Sequence, residues 1–170
     1  MAINFPEGWQ DYPSRFANIV QHHNPTQYSF QGYNGSWANA PNMSASITPR
    51  ATSSQVLVIV SLNAVATNTA FFRVVRNGTA VGNGTSGTGN MSNVWAGSYY
   101  HQSDLNHGTT MCSLFLDSPS STSSVTYQVQ MSTDNGGGGW IYLNHNNNGS
   151  NAFIAYHAQS TITLLEVEAV

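Results

Sequence analysis

From Ser44 onward the chain is a succession of short β-type runs with Gly, Ser, Asn, Asp and Pro between them. Nowhere do apolar residues recur at the spacing of an amphipathic helix of useful length. Val125-Thr126-Tyr127-Gln128-Val129-Gln130-Met131 alternates without a fault, which places Val125, Tyr127, Val129 and Met131 on one buried face. Gln55–Val65 is different. It begins apolar on both faces, as for a central strand covered on two sides. It then relaxes into alternation, with Val60, Leu62 and Ala64 on one face and Ser61 and Asn63 on the other. Ala70–Arg76 and Thr79–Gly82 flank Asn77-Gly78, two residues that tolerate positive φ as a type I′ hairpin requires.

Further strands are expected at Ser44–Thr48 (stopped by Pro49), Thr110–Leu116, Trp140–Leu143, Ala152–Tyr156 and Thr161–Val167. Residues 82–109, rich in Gly, Ser and Asn, form a long connection with room for one short strand. Strands at this spacing, joined by such loops, predict an all-β fold, an antiparallel β-sandwich or jelly roll over residues 44–170. Residues 1–43 differ. Their aromatic and proline residues are spread among polar ones without sustained period, which suits an extended N-terminal arm or a long loop packed on its own domain. Phe16–Gln21 is the one segment there that reads as a strand.

A length of 170 residues suits one domain, large enough to bury roughly 70% of its unfolded surface without a covalent staple. Cys112 is the single cysteine, so neither an intramolecular disulfide framework nor a multi-cysteine zinc site is available. Folding then needs no oxidising compartment, and synthesis in a cytoplasm is the simplest expectation. No apolar run approaches a membrane span, and Met1–Glu7 lacks the basic flank and apolar core of a signal peptide. Only 6% of residues are charged, the net charge is −3, and the cations are Arg15, Arg50, Arg73 and Arg76 with no lysine. That balance provides no basic stripe for nucleic acid.

Enzymes usually need titratable groups in paired, perturbed settings, and few are present here. The chain reads as a building block, not an enzyme, with no cofactor. His101-Gln102-Ser103-Asp104-Leu105-Asn106-His107 is the densest polar cluster, but its spacing matches no metal motif and reads as surface loop. There is no Gly-x-Ser-x-Gly elbow, and Gly82–Gly89 opens no helix and holds no lysine for phosphate. Asn-x-Ser/Thr sequons at Asn34, Asn42, Asn77, Asn83, Asn90 and Asn148 follow from composition. Glu166 and Glu168 share a face of the last strand and could pair with Arg73 or Arg76 from another strand or another subunit. Trp95, Tyr99, Tyr100 and Trp140, with amides nearby, could form a sugar platform; the alternative is that they fill the core or a subunit seam.

Several segments in order resemble the jelly-roll domains of tailed-phage virion proteins, notably those of cyanobacterial phages. They are Ile3-Asn4-Phe5-Pro6-Glu7-Gly8, Ser46-Ile47-Thr48-Pro49, Gln55–Leu62, Arg73–Thr79, Leu116-Asp117-Ser118-Pro119 with Val125–Gln130, and Ser160–Val167. The resemblance spans most of the chain and rests on order, since each segment alone is ordinary β grammar. It implies a TNF- or C1q-like jelly roll, commonly trimeric, serving as a capsid decoration (cement) protein or at a fibre tip. On that reading the partners are two further copies and the major capsid protein, with no nucleic acid or membrane. The arm residues Phe5, Trp9, Tyr12 and Phe16 would clamp the shell. The location would be the capsid surface of a virion made in the host cytoplasm. The alternative is a tail-fibre tip, adaptor or carbohydrate-binding module, and only there would a glycan be a partner.

Overall fold

The computed structural model describes residues 16–31, 36–67, 69–84, 94–98, 108–133, 139–146 and 157–168. Within them the chain runs as antiparallel strands: β1 (Phe16–Asn24), β2 (Tyr28–Gln31), β3 (Ala38–Ile47), β4 (Gln55–Ala66), β5 (Ala70–Arg76), β6 (Thr79–Val81), β7 (Ala96–Ser98), β8 (Thr109–Asp117), β9 (Val125–Thr133), β10 (Trp140–Leu143) and β11 (Ser160–Val167). Sheet A holds β1, β2, β4, β8, β10 and β11, and sheet B holds β3, β5, β6, β7 and β9. The two sheets face each other as a β-sandwich.

Pairing shows how collinear strands share an edge. Residues 56–61 of β4 pair with both β8 and β11, so those two lie on opposite edges. Ala64 pairs with Thr109 of β8 and Leu143 of β10, which puts β10 end to end with β11. β1 continues the layer beside β11, and β2 beside β10. Sheet A is therefore four strands wide: β8, β4, β11 with β10, then β1 with β2. Sheet B follows the same plan. β5 has β9 on one edge, while β6 and β7 share the other. β3 lies outside β9.

The core is the set of inward residues that the alternation marks. On β4 these are Val56, Val58, Val60, Leu62 and Ala64; on β9 they are Val125, Tyr127, Val129 and Met131, as the sequence predicts. Ile162 and Leu164 of β11 and Phe72 and Val74 of β5 complete its centre. The Asn77-Gly78 hairpin also forms as expected, with φ of 47° and 87°. Gly82 follows with φ of 64°, and a Cβ there would lie 2.5 Å from the Phe115 ring, so glycine lets β8 close over this end.

Of the residues expected in the arm (1–43), those from Phe16 onward that the structure describes run mostly in β1, β2 and the first half of β3. Residues 1–15 lie outside the described residues, as does the expected strand at Ala152–Tyr156. Strand β3 begins at Ala38, earlier than the expected Ser44, and crosses Pro41. A proline has no N–H for the ladder and interrupts a strand unless a bulge absorbs it. The register with β9 shifts between Asn39 and Ser44, and Asn42 within that shift has φ of 53°. Side chains supply what the ladder loses. Gln128 Nε2 donates to the carbonyls of Ala40 and Met43, each at 3.0 Å, and Asn24 Nδ2 donates to the Pro41 carbonyl at 2.9 Å.

A second polar junction holds the end of sheet A. Asn144, fully buried and at φ of 64°, donates through Nδ2 to the carbonyls of Asn24 (2.7 Å) and Thr26 (2.9 Å). Its Oδ1 accepts from Ser160 Oγ at 2.6 Å, and Ser160 Oγ in turn accepts the Asn63 N–H at 3.0 Å. One side chain thus ties the β1–β2 turn to β11, and through Ser160 to β4. Removing it strands the Asn24 carbonyl and the Ser160 hydroxyl in a dry interior, where each unmet group costs on the order of 1–3 kcal/mol, and releases the Thr26 carbonyl nearer the surface. Asn144→Ala is expected to destabilise the fold by about 3 kcal/mol, read as a lower urea midpoint with an unchanged slope.

Candidate interaction surfaces

The few charged groups described here are taken up internally. Arg76 and Tyr127 are register partners on β5 and β9 of sheet B, and both reach Asp117, the last residue of β8 in sheet A. The Arg76 guanidinium lies 2.7 Å from Asp117 Oδ2, and the Tyr127 hydroxyl donates to the same oxygen at 2.6 Å. This triad fastens the two sheets where β8 ends. Arg73 points away from the core. Its guanidinium donates to Gln130 Oε1 at 2.8 Å and lies over the Trp37 ring, 4.3 Å from the centroid. Glu166 is fully buried and accepts the Arg50 N–H at 2.6 Å, while Glu168 meets the Arg50 side chain at 3.7 Å on the surface.

Within the chain, then, Arg73 serves sheet B, Arg76 bridges the two sheets through Asp117, and Glu166 and Glu168 serve the loop at Arg50. The intramolecular pairings expected between the two sets do not form among the described residues. Asp117 neutralises an arginine and accepts a hydrogen bond from a phenol, a role decided by the strand register of two sheets.

The outer face of sheet A has a different character. Cross-strand partners share a face, so the registers define rows across the four strands. One row runs Ile19, Leu165, Leu57, Leu116, and the next Gln21, Thr163, Ile59, Leu114. A third runs His23, Thr161, Ser61, Cys112. Farther along, Trp140 and Tyr142 of β10 lie on this same face, because Ile141 and Leu143 between and beyond them point into the core. Their rings stack at 6.3 Å and 15°, and His145 meets Tyr142 edge-on at 5.4 Å. The large hydrophobics most exposed among the described residues are Leu114 (65%), Ile19 (61%), Leu116 (49%) and Trp140 (38%). All four are on this face, and no Arg, Asp or Glu of the described residues is.

The residues singled out from sequence are dispersed. Phe5, Trp9, Tyr12, Tyr99, Tyr100 and the His101–His107 cluster lie outside the described residues. Phe16 opens β1, its backbone opposite Val167. Trp95 is half-buried against the core, its backbone N–H donating to the Phe72 carbonyl of sheet B, whereas Trp140 lies on the outer face of sheet A. One tryptophan thus packs beside sheet B and the other on sheet A, and the two do not form one platform. No group of three or more His, Cys, Asp or Glu side chains converges among the described residues.

No protein-family model matches the chain, and no curated protein matches it in sequence. Among solved structures it is similar to the infectious bursal disease virus VP2 subviral particle, at 12% identity and a TM-score of 0.35. The likeness covers 88% of this chain and 40% of that one, so this chain matches less than half of its length.

The Asp117 triad has a measurable signature. Burial first, and then the bond to the Asp117 carboxylate, push the Tyr127 hydroxyl far above the ordinary tyrosine value of 10.0. The folded protein therefore keeps a proton that the unfolded chain gives up in alkali. The stability from this group is complete below about pH 10 and falls by about 1.4 kcal/mol per pH unit above it. In urea titrations across that range, Tyr127→Phe is expected to flatten the decline. Asp117→Ala, which strands both partners in a site that is only partly exposed, is expected to cost about 2–3 kcal/mol at neutral pH.

Proposed function

We propose that this chain is a virion structural protein of a tailed phage, a decoration protein that stabilises the head shell as a trimer. The observation that carries the reading is the division of its surface. The described charged groups are drawn into linkages that stiffen the sandwich, and one sheet face, bearing no described Arg, Asp or Glu, carries the most exposed large hydrophobics of the described residues. Such a body is built to pack against protein. Strand order supports the fold that the resemblance implies. With collinear strands merged, four strands in each sheet alternate along the chain in the manner of two Greek keys, as in a jelly roll. β1, an outer strand of sheet A, begins at Phe16, and Phe5, Trp9 and Tyr12 ahead of it in the chain would contact shell subunits. One trimer would then bind several subunits at high effective concentration.

A second reading, a tail-fibre tip or carbohydrate-binding module, draws on Trp140. Its ring is partly exposed and stacked on Tyr142, with Gln31 opposite it in register. Loss of glycan-array binding on Trp140→Ala, with the fold intact, would favour it. Antibody localisation on purified particles separates the two: label over the shell supports decoration, and label on the tail supports the tip. Particles free of label would overturn both virion placements. Deleting residues 2–14, which stops short of β1, is expected to abolish shell binding and leave the thermal midpoint within a few degrees of wild type.

A further inference from the structure

Val56 is flanked across sheet A by two carboxylates, Asp117 of β8 and Glu166 of β11, and only Asp117 has an arginine beside it. Glu166 is fully buried on the inward side of β11. Its Oε1 accepts the Arg50 N–H, while its Oε2, also buried, meets no hydrogen-bond donor. The Arg50 guanidinium does not answer it, being mostly exposed and turned to Glu168. Arg73 is committed to Gln130, and Arg76 to Asp117. A second orphan lies close by. Ser54 is buried, its N–H donates to the Ala51 carbonyl, and its Oγ has no partner. It stands two residues before Val56 on the same inward side. That makes it a diagonal neighbour of Glu166, at about 7–8 Å between backbones.

We propose that Glu166 Oε2 and Ser54 Oγ are two ligands of a calcium ion held beneath the turn that joins β3 to β4. Energetics is the first argument. A carboxylate withdrawn from water is among the costliest groups an interior can hold, and interiors that keep one pair it or set a cation against it. The donors are the second. Both orphans are oxygens, one anionic and one neutral, which suit calcium or magnesium and not zinc or copper. Calcium accepts irregular sets of about six to eight oxygens, so carbonyls of the overlying turn and water would take the remaining positions. Access is the third. Arg50, Ala51, Thr52 and Ser53 are all exposed, so a single turn of chain separates the two oxygens from solvent. Bound there, the ion would tie the end of β11 in sheet A to the connection that leaves β3 in sheet B. It would do for Glu166 what Arg76 does for Asp117.

The site is independent of where the chain works, and it is read on the isolated full-length protein. Thermal midpoints are measured after dialysis against EDTA, then in CaCl2 or MgCl2 from micromolar to millimolar concentration at constant ionic strength. Calcium is expected to raise the wild-type midpoint by about 5–10 °C once it exceeds its dissociation constant about a hundredfold. Isothermal titration calorimetry is expected to give one ion per chain. Magnesium, which demands stricter geometry, is expected to raise the midpoint less. Glu166→Gln keeps an oxygen for the Arg50 N–H and removes the charge. It is expected to match or exceed wild type in EDTA and to gain nothing from calcium. Ser54→Ala keeps the charge and is expected to need at least about tenfold more calcium for the same gain. A wild-type midpoint that calcium leaves unmoved, or that magnesium raises as far, overturns the proposal. Stabilisation by calcium that persists unchanged in Glu166→Gln or in Ser54→Ala also overturns it, by placing the ion elsewhere.

Discussion

Strand β4 uses both of its hydrogen-bonding edges and one of its faces inside the chain. β8 occupies one edge, β11 and β10 share the other, and the inward side chains fill the middle of the sandwich. Each remaining element is placed by reference to it. β1 and β2 join sheet A only through the strands that β4 recruits, and sheet B is held against its inner face. A backbone paired on both edges is held in register, so the residues on its free face stand in fixed rows. That pairing makes the outer face of sheet A a defined surface.

Polar side chains then appear where regular pairing fails. Gln128 and Asn24 satisfy the carbonyls that Pro41 and the β3 bulge leave open, and Asn144 does the same where β10 leaves the sheet. Asp117 closes the other end by binding Arg76 and Tyr127. These groups sit at the margins of an apolar interior and lock strand ends that hydrophobic burial alone leaves free to slide. A chain with so few charges uses the described ones in this way, which is why its outer sheet face is left neutral.

Much of this was legible in the residues. The alternation in Val125–Met131, the Asn77-Gly78 hairpin and the ends of β5 and β10 follow from local chemistry and appear as read. Of the strands before Ser44, β1 was legible in Phe16–Gln21, while β2 and the start of β3 were obscured by local chemistry of another kind. Pro41 argues against a strand until the bulge and the distant Gln128 are known, and Tyr28–Gln31 is too short to show a period. Site geometry was less accessible still. Glu166 and Arg76 are residues whose partners depend on which sheet each strand joins, and no spacing in the sequence reports that. The apolar outer face did leave a trace, in adjacent residues such as Leu164 and Leu165 that are apolar on both sides of one strand. The expectation that β4 is covered on two sides came from the same signal, and the fold itself covers one.

The neighbours of β11 carry a further meaning. It lies between β1 and β4, with Asn24 opposite Ser160 and Ser61 opposite Thr161, so sheet A is closed by the strand that comes last among the described residues. Until it is in place β1 has no strand of sheet A to pair with, and the row from Ile19 to Leu116 is broken at its second position. A nascent or prematurely ended chain therefore displays fragments of the apolar face but never the whole of it. Insertion of β11 is thus the step that assembles the surface, and a chain without it carries the parts of that face but not their register.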